Sequence, residues 1–470
     1  MIKPTSGTDM EWNLLFGHLA VVGGFLLAAI LVMSILRKQR TSSAAFAWLL
    51  AIFFVPYVGV PFYLIFGGRK LKRDAHTKED IHLEVQETIP AKESDPIDVM
   101  LREYGIPGAT SGNKVQLCPT GIDIYNELVK LIENAEHQIL ITTFILSRDD
   151  VGKDIVERLA RKAESGVTVR LLLDDIGSMF TSRRFLKNLI DNGGKVAYFM
   201  PLFRAPFHGN SNLRNHRKVA IADQKIVLAG GTNIANEYIG PEPCEDRWTD
   251  LSFVLQGPAV RHYIEVFQSD WLFAHGEKVN IIPPCTKGSA ISGEGVMQVV
   301  PSGPDVPRDP VHDALLTAAF TAEKRLWIVT PYYVPDEALA QALRLAALRG
   351  VDLRVVVPAK SNHKLADLAR GTHLRDLEEC GGRVVKYPHM VHAKVLVVDD
   401  RLAVVGSANM DMRSLFLNYE IVMFTYSEAD VKPVSDWVQG LIDVSTEGTV
   451  PVGMVRDTIE GAARLVAPLL

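Results

Sequence analysis

The sequence predicts an α/β protein of two pseudo-twofold-related α/β/α sandwich halves, preceded by an amino-terminal transmembrane helical hairpin. Three observations carry that prediction. A polar motif at 215–233 recurs at 391–409, the same order of helix and strand patterns surrounds each copy, and two long uncharged apolar runs stand near the start of the chain. With 470 residues there is room for a large buried core. The net charge of −5 and pI near 6.2 argue against a general nucleic-acid binder, which usually carries a strong basic excess. Cys118, Cys244, Cys285 and Cys380 are scattered, form no Cys-x-x-Cys pair and suggest neither a zinc site nor a disulfide framework, so a reducing compartment suits them.

The apolar runs, 14–36 and 44–67, each exceed the about 20 residues that a helix needs to cross the hydrocarbon core. A cleaved signal peptide fits less well, because the first run is long for one, lacks a small-residue cleavage site and is followed at once by the second. Pro56 and Pro61 would kink the second run or turn it back. Lys3 with Arg69, Lys70, Lys72 and Arg73 outweighs the connection Arg37-Lys38-Gln39-Arg40, which favours both termini on the cytoplasmic side. Residues 1–73 are therefore assigned to the hairpin. Residues 74–118, rich in charge, proline and glycine, read as a linker, with helical spacing over 97–104.

The first half is assigned to 119–285. Helical periodicity over 122–135 precedes an apolar strand at 138–144, and a second helix over 152–165 leads to strands at 166–174 and 193–199. The second half, 286–470, repeats these strands at 325–330, 350–357 and 381–385. Such alternation predicts two mixed sheets covered by helices, with the motifs meeting between the halves.

The first motif copy contains His216, Lys218, Asp223 and Asn233, and the second contains His392, Lys394, Asp399 and Asn409, at identical spacing. His and Lys stand two apart on a β-rich run, so both project from one face and hold a base beside a cation. His216, Lys218, Asp223, His392, Lys394 and Asp399 form the candidate catalytic set, although the two aspartates open turns and suit holding the hairpin better than touching substrate. Further on, Asp250 and Glu420 occupy equivalent places, each beginning an apolar strand. A buried carboxylate needs a partner, and each is read as accepting the imidazole N–H of the histidine in its own half, fixing the tautomer. Glu237 is an exposed rival in the first half.

The doubled His-x-Lys-x4-Asp-x6-Gly-x-x-Asn pattern resembles that of the phospholipase D superfamily. Two histidines, two lysines and two asparagines around one pocket suit a phosphodiester. One His attacks phosphorus, and the other protonates the leaving alkoxide and then deprotonates the incoming hydroxyl. Lys218, Lys394, Asn233 and Asn409 can bind the non-bridging oxygens, so no metal is required. Exchange of one alcohol for another nearly conserves bond energy, and no nucleotide-binding loop is present, so no cofactor is expected. The near symmetry leaves the nucleophile open.

The segments 212–218, 230–234, 248–250, 256–260, 331–335 and 407–414 narrow the resemblance to bacterial cardiolipin synthases of the phospholipase D type, and it covers essentially the whole chain. It implies that two phosphatidylglycerol molecules yield cardiolipin and glycerol through a phosphohistidine, with His216 as the nucleophile by family precedent. It also implies a multi-pass protein of the bacterial inner membrane, with phosphatidylglycerol and anionic lipid as partners and no nucleic acid. Ser407, which replaces Gly231 in the second copy, is placed to add a phosphate contact.

An insert at 200–210, absent before the second motif, joins Met179, Phe180, Arg183 and Arg184 in interleaving apolar and cationic groups, as segments that enter an anionic interface do. Packing over the pocket mouth is the plainer alternative, and His208 within the insert reads as structural. The helical spacing of 452–469 suggests packing on the body. The other functions weighed are a membrane-bound phospholipase D that uses water, a nuclease, which the acidic pI and the anchor oppose, and a membrane scaffold with an inactive site.

Overall fold

A computed structural model describes residues 78–84, 88–90, 94–201, 213–280 and 293–466, with scattered positions between 24 and 60. The chain divides into two compact units, and the larger, Arg73–Pro206 with Leu213–Leu470, carries every element named below. No helix among the described residues is long and apolar enough to cross a membrane. The expected hairpin runs lie largely outside the described residues, and the insert beyond Pro201 lies outside them altogether.

The first half contributes β1 (Thr110–Cys118), β2 (Gln138–Thr143), β3 (Thr168–Asp174), β4 (Lys195–Phe199), β5 (Val219–Ala222), β6 (Ile226–Gly230) and β7 (Ser252–Gln256). The second contributes β8 (Gly295–Ser302), β9 (Arg325–Val329), β10 (Tyr333–Val334), β11 (Asp352–Pro358), β12 (Arg383–Tyr387), β13 (Val395–Val398), β14 (Leu402–Gly406), β15 (Met410–Asp411), β16 (Glu420–Thr425) and β17 (Thr446–Glu447). The first-half order is β4-β3-β2-β5-β6-β7-β1, and the second is its counterpart, β12-β11-β9-β13-β14-β16-β8. Antiparallel pairing of β1 with β8 fuses the two into one sheet, where the sequence suggested two. β10 and β15 form a separate parallel pair.

Strands near the centre of each half, such as β2 and β13, are rich in β-branched residues and buried throughout, because helices cover both faces of the sheet. The helix Asp150–Glu164 is typical of the cover. Asp149 caps it by accepting from the Gly152 N–H, and Val151, Ile155, Val156 and Leu159 form its buried stripe. This helix and Gly121–Asn134 close one face of the first half, while Pro310–Thr321, Glu337–Leu348 and Lys364–Glu379 close the corresponding face of the second. On the opposite face, Val260–His275 and Glu428–Asp443 pack into a core shared by both halves, with Tyr263, Phe267, Trp271, Val434 and Val438 inside it.

Two boundaries differ from the sequence reading. The supposed linker is largely structural: β1 is a strand of the first-half sheet, so that half begins by Thr110. The helix Pro96–Arg102 buries Ile97 and Leu101 in the second-half core. Near the carboxyl terminus, the helix Met454–Val466 packs on Lys364–Glu379. It does so through Ala463 and Glu460, not the expected apolar stripe, for Val455 and Ile459 are exposed. Glu460 instead pairs with Arg375 and Arg456, and that ion-paired contact fixes which side of the helix faces inward.

Candidate active site

Each motif approaches its strand as an extended segment, with His216 and Lys218 just before β5 and His392 and Lys394 just before β13. The backbone binds each segment to the opposite half. The His216 N–H donates to the Tyr419 carbonyl at 2.9 Å, and the His392 N–H donates to the Thr249 carbonyl at 2.7 Å. Tyr419 and Thr249 immediately precede the two strand-end carboxylates, so each acid is delivered across the pseudo-twofold axis.

The pairing is therefore crossed. His216 Nδ1 lies 3.0 Å from both carboxylate oxygens of Glu420, and His392 Nδ1 lies 2.7 Å from Asp250 Oδ2. An ionised carboxylate only accepts, so each Nδ1 carries the proton and each Nε2 keeps its lone pair. The expectation that Asp250 serves His216 and Glu420 serves His392 is corrected: equivalent positions in two halves face the opposite partners once the halves meet about a twofold axis. Glu237 contacts neither ring, and its pKa is raised by burial and by Asp149.

Aromatic groups hold the rings. Phe144 meets His216 edge-on with centroids 5.1 Å apart, and the Lys218 ammonium stands 5.5 Å from the centre of that Phe144 ring. Tyr238 and Trp248 flank His392 at 5.0 and 5.7 Å. None of these aromatics was singled out from the sequence, although Trp248, two residues before Asp250, was available as a signal.

The site is buried, and its charges act across both halves. Burial, reinforced by Lys218 and Lys394, brings the His216 pKa down to about 4 despite Glu420. Burial and the Lys394 charge bring His392 to about 3 against the pull of Asp250. Lys394 lies against the His392 ring, 2.7 Å from Nδ1 and 3.0 Å from Nε2, and donates to the His392 carbonyl. With Nδ1–H committed to Asp250, the ammonium acts on the ring as a neighbouring positive charge. Burial lowers Lys394 to about 8 and moves Lys218 well below its usual range. Burial alone would raise Asp250 and Glu420, but the cations and imidazoles beside them hold both carboxyls below their ordinary pKa.

The remaining predicted residues separate. Asn233 Oδ1 accepts from the Ile145 N–H, whereas Asn409 Oδ1 is buried with no hydrogen-bond partner among the described residues, an acceptor open to a ligand hydroxyl. A cavity of about 40 Å³ lies beside each motif, lined by Lys218 and Asn233 in one half and Lys394 and Asn409 in the other. Ser407 is not placed as a phosphate contact. Its hydroxyl donates to Glu420 Oε2 at 2.5 Å and accepts from the Ile421 N–H, and the residue is wholly buried.

Asp223 and Asp399, counted with the catalytic set, are structural. Asp223 accepts from the N–H groups of Glu136, His137 and Gln138, and Asp399 from those of Glu323, Lys324 and Arg325. Each tethers its hairpin turn to the corner before β2 or β9, and the positive φ of 49° and 50° suits aspartate at a tight turn.

The chain matches the family described as "Cardiolipin synthase, PLD-like domain" over residues 128–271 and 315–442, which contain both motif segments. It belongs to that family. Residues 26–68 also match "Phospholipase_D-nuclease N-terminal". Similarity to named cardiolipin synthases runs almost end to end. Cardiolipin synthase 1 of Bacillus anthracis is 32% identical over 92% of this chain and 90% of that protein. The major cardiolipin synthase of Bacillus subtilis (strain 168) is 33% identical over 95% of this chain and 97% of that protein. The fold is shared with a phosphatidylserine synthase of Haemophilus influenzae, at a TM-score of 0.60 and 16% identity over 79% of this chain and 99% of that one. As a member of the cardiolipin synthase family, the chain is a phosphatidyltransferase.

Proposed function

We propose that the chain condenses two phosphatidylglycerol molecules into cardiolipin and glycerol, with His216 as nucleophile and His392 as general acid and base. The crossed histidine–carboxylate pairing carries this reading, for it presents two imidazoles with unprotonated Nε2 atoms and two buried lysines at one junction. His216 Nε2 attacks the phosphorus of the first lipid, and the bond from phosphorus to the glycerol headgroup oxygen breaks. His392 takes up a proton as the lipid binds, the phosphodiester anion favouring the imidazolium against the burial and lysine charge that keep the free ring neutral, and gives that proton to the departing glycerol. A hydroxyl of the second lipid's headgroup then attacks the phosphohistidine, His392 takes its proton, and the P–N bond breaks. Lys218 and Lys394 neutralise and hold the non-bridging oxygens, and Asn409 donates to them through its amide N–H. Glu420 and Asp250 keep the two rings in the working tautomer.

The reaction places the body at a membrane. The apolar runs at 14–36 and 44–67 supply the anchor, with the catalytic body on the cytoplasmic side of the bacterial inner membrane. The exposed Phe53, Phe54 and Tyr57 side chains of the amino-terminal unit support lipid contact there.

The test is purified protein in phosphatidylglycerol bilayers without nucleotide, with cardiolipin, phosphatidic acid and glycerol followed together. Cardiolipin and glycerol should rise in equal amounts and both should vanish in His216→Ala and His392→Ala. Phosphatidic acid in place of cardiolipin would make water the acceptor and overturn the reading.

A further inference from the structure

Beneath His216 lies a cluster of four charged side chains almost wholly removed from water. Arg217 Nη1 donates to Asp270 Oδ1 at 2.6 Å, and Nη2 donates to both oxygens of Asp305 at 3.2 Å. The fourth member comes from far outside the motif. Lys78 Nζ meets Asp270 Oδ1 at 2.6 Å and also pairs with Asp305 Oδ2. The side chains of Arg217, Asp270 and Asp305 are fully buried, and that of Lys78 is 2% exposed. The Tyr419 ring lies 5.5 Å from each of the two cations.

The cluster reaches the catalytic groups directly. Arg217 Nε donates to the Glu420 carbonyl at 3.0 Å, and Asn215, which donates to Asp270 Oδ2 at 2.9 Å, also accepts from the Arg217 N–H. Arg217 thus secures both the histidine segment of one half and the acid strand of the other. The second motif has no equivalent, since Val391 and Ala393 stand where Asn215 and Arg217 would be. The rest of the 78–84 strip is tied down as well. The Ile81 N–H donates to the Asp305 carbonyl, and the Glu84 N–H donates to Glu265.

Two carboxylates facing Arg217 alone would leave one uncompensated negative charge in a water-free site, a costly arrangement; Lys78 balances it. Without Lys78, Arg217 would be drawn toward the carboxylates and away from the Glu420 carbonyl. We propose that Lys78 is a positioning residue for the transfer centre, completing a buried Lys–Arg–Asp–Asp cluster that holds Glu420 against His216. The strip that follows the amino-terminal anchor is then part of the catalytic apparatus. This inference rests on the reading that His216 takes part in phosphatidyl transfer.

The test uses the full-length protein in phosphatidylglycerol vesicles, with kcat and KM measured separately. Lys78→Met should lower kcat by about 10–100-fold while the lipid KM changes less than about threefold, as expected for a misplaced catalytic group. Lys78→Met combined with Asp305→Asn restores neutrality and should return kcat to within about threefold of the parent, a rescue that simple loss of packing would not give. The double variant also serves if the single one fails to fold. An unchanged kcat in folded Lys78→Met, or a folded double variant no better than about tenfold below the parent, would overturn the proposal. His216→Ala is run alongside: activity retained there would instead defeat the functional reading on which the inference stands.

Discussion

Glu420 reaches His216 from the other half of the molecule, with both carboxylate oxygens 3.0 Å from Nδ1. A glutamine there can offer its amide N–H to the ring and favour the wrong tautomer. Glu420→Gln should lower kcat by about 10²–10⁴-fold with little change in lipid KM. Nitrogen-15 NMR of labelled histidine should show the Nδ1–H tautomer of His216 lost in Glu420→Gln and kept in Asp250→Asn. His392 should respond the opposite way. Uncrossed responses would contradict the observed pairing.

The histidine and lysine pKa values fix the shape of the pH profile. A nucleophilic imidazole must be neutral, and His216 stays so until the pH falls to about 4. Lys394 must be charged to hold an anionic phosphate, and it loses its proton as the pH rises through about 8. The profile of kcat/KM, which reports the free enzyme, should therefore gain an acid limb near pH 4 from His216 and a steeper alkaline decline near pH 8 from Lys394, over the slope set by the proton that His392 takes up as lipid binds. An activity still rising above pH 9 would exclude Lys394 as the phosphate cation.

Ser407 and Gly231 predict unequal outcomes from reciprocal changes. Ser407→Gly removes the 2.5 Å hydrogen bond to Glu420 and should reduce kcat by about tenfold in a folded protein. Gly231→Ser is worse placed, because a Cβ at Gly231 would lie 2.3 Å from Asp250 Oδ1 and displace the acid of His392. It should reduce kcat by about 10²-fold or more. Circular dichroism on both variants separates these losses from misfolding.

Away from the site, His312 predicts a pH-dependent stability. Burial would lower its pKa, but hydrogen bonds to Asp313 and Asp336, at 3.1 and 2.9 Å, outweigh that and raise it to about 9. The folded-state pKa lies above the unfolded one, so the stabilisation is complete below about pH 6.5 and is lost as the pH rises through 9. His312→Gln should cost roughly 2–3 kcal/mol at pH 6, and the gap in melting temperature from the parent should close by pH 10.

Asp399 should matter for stability rather than chemistry. Asp399→Ala leaves three backbone N–H groups without their acceptor and should cost about 2 kcal/mol, with kcat per folded molecule within about threefold of the parent. Denaturant unfolding with activity measured on the native fraction distinguishes the two effects.

The repeated motif and strand patterns were legible because burial on both sheet faces writes short apolar runs such as 139–141 and 355–357 into the sequence. Asp250 and Glu420 could be recognised as equivalent by matching the copies. Which histidine each one serves could not, because that depends on how two halves meet and not on either alone. Ser407 was misread because a hydroxyl near a phosphate motif gives no sign that its hydrogen bonds are already spent on Glu420 and Ile421. Lys78 escaped notice for a related reason: a lysine in a charged, proline-containing segment reads as solvated, and its buried partners lie roughly 200 residues away.

Because each imidazole borrows its acid across the twofold axis, neither motif can act as a spare for the other. A change at the head of β16 disables the histidine of the first copy, and one just before β7 disables that of the second. The two halves are thereby bound to a common history, in which any drift of one strand end must be answered by the opposite copy. What began as a repetition has become a mutual dependence.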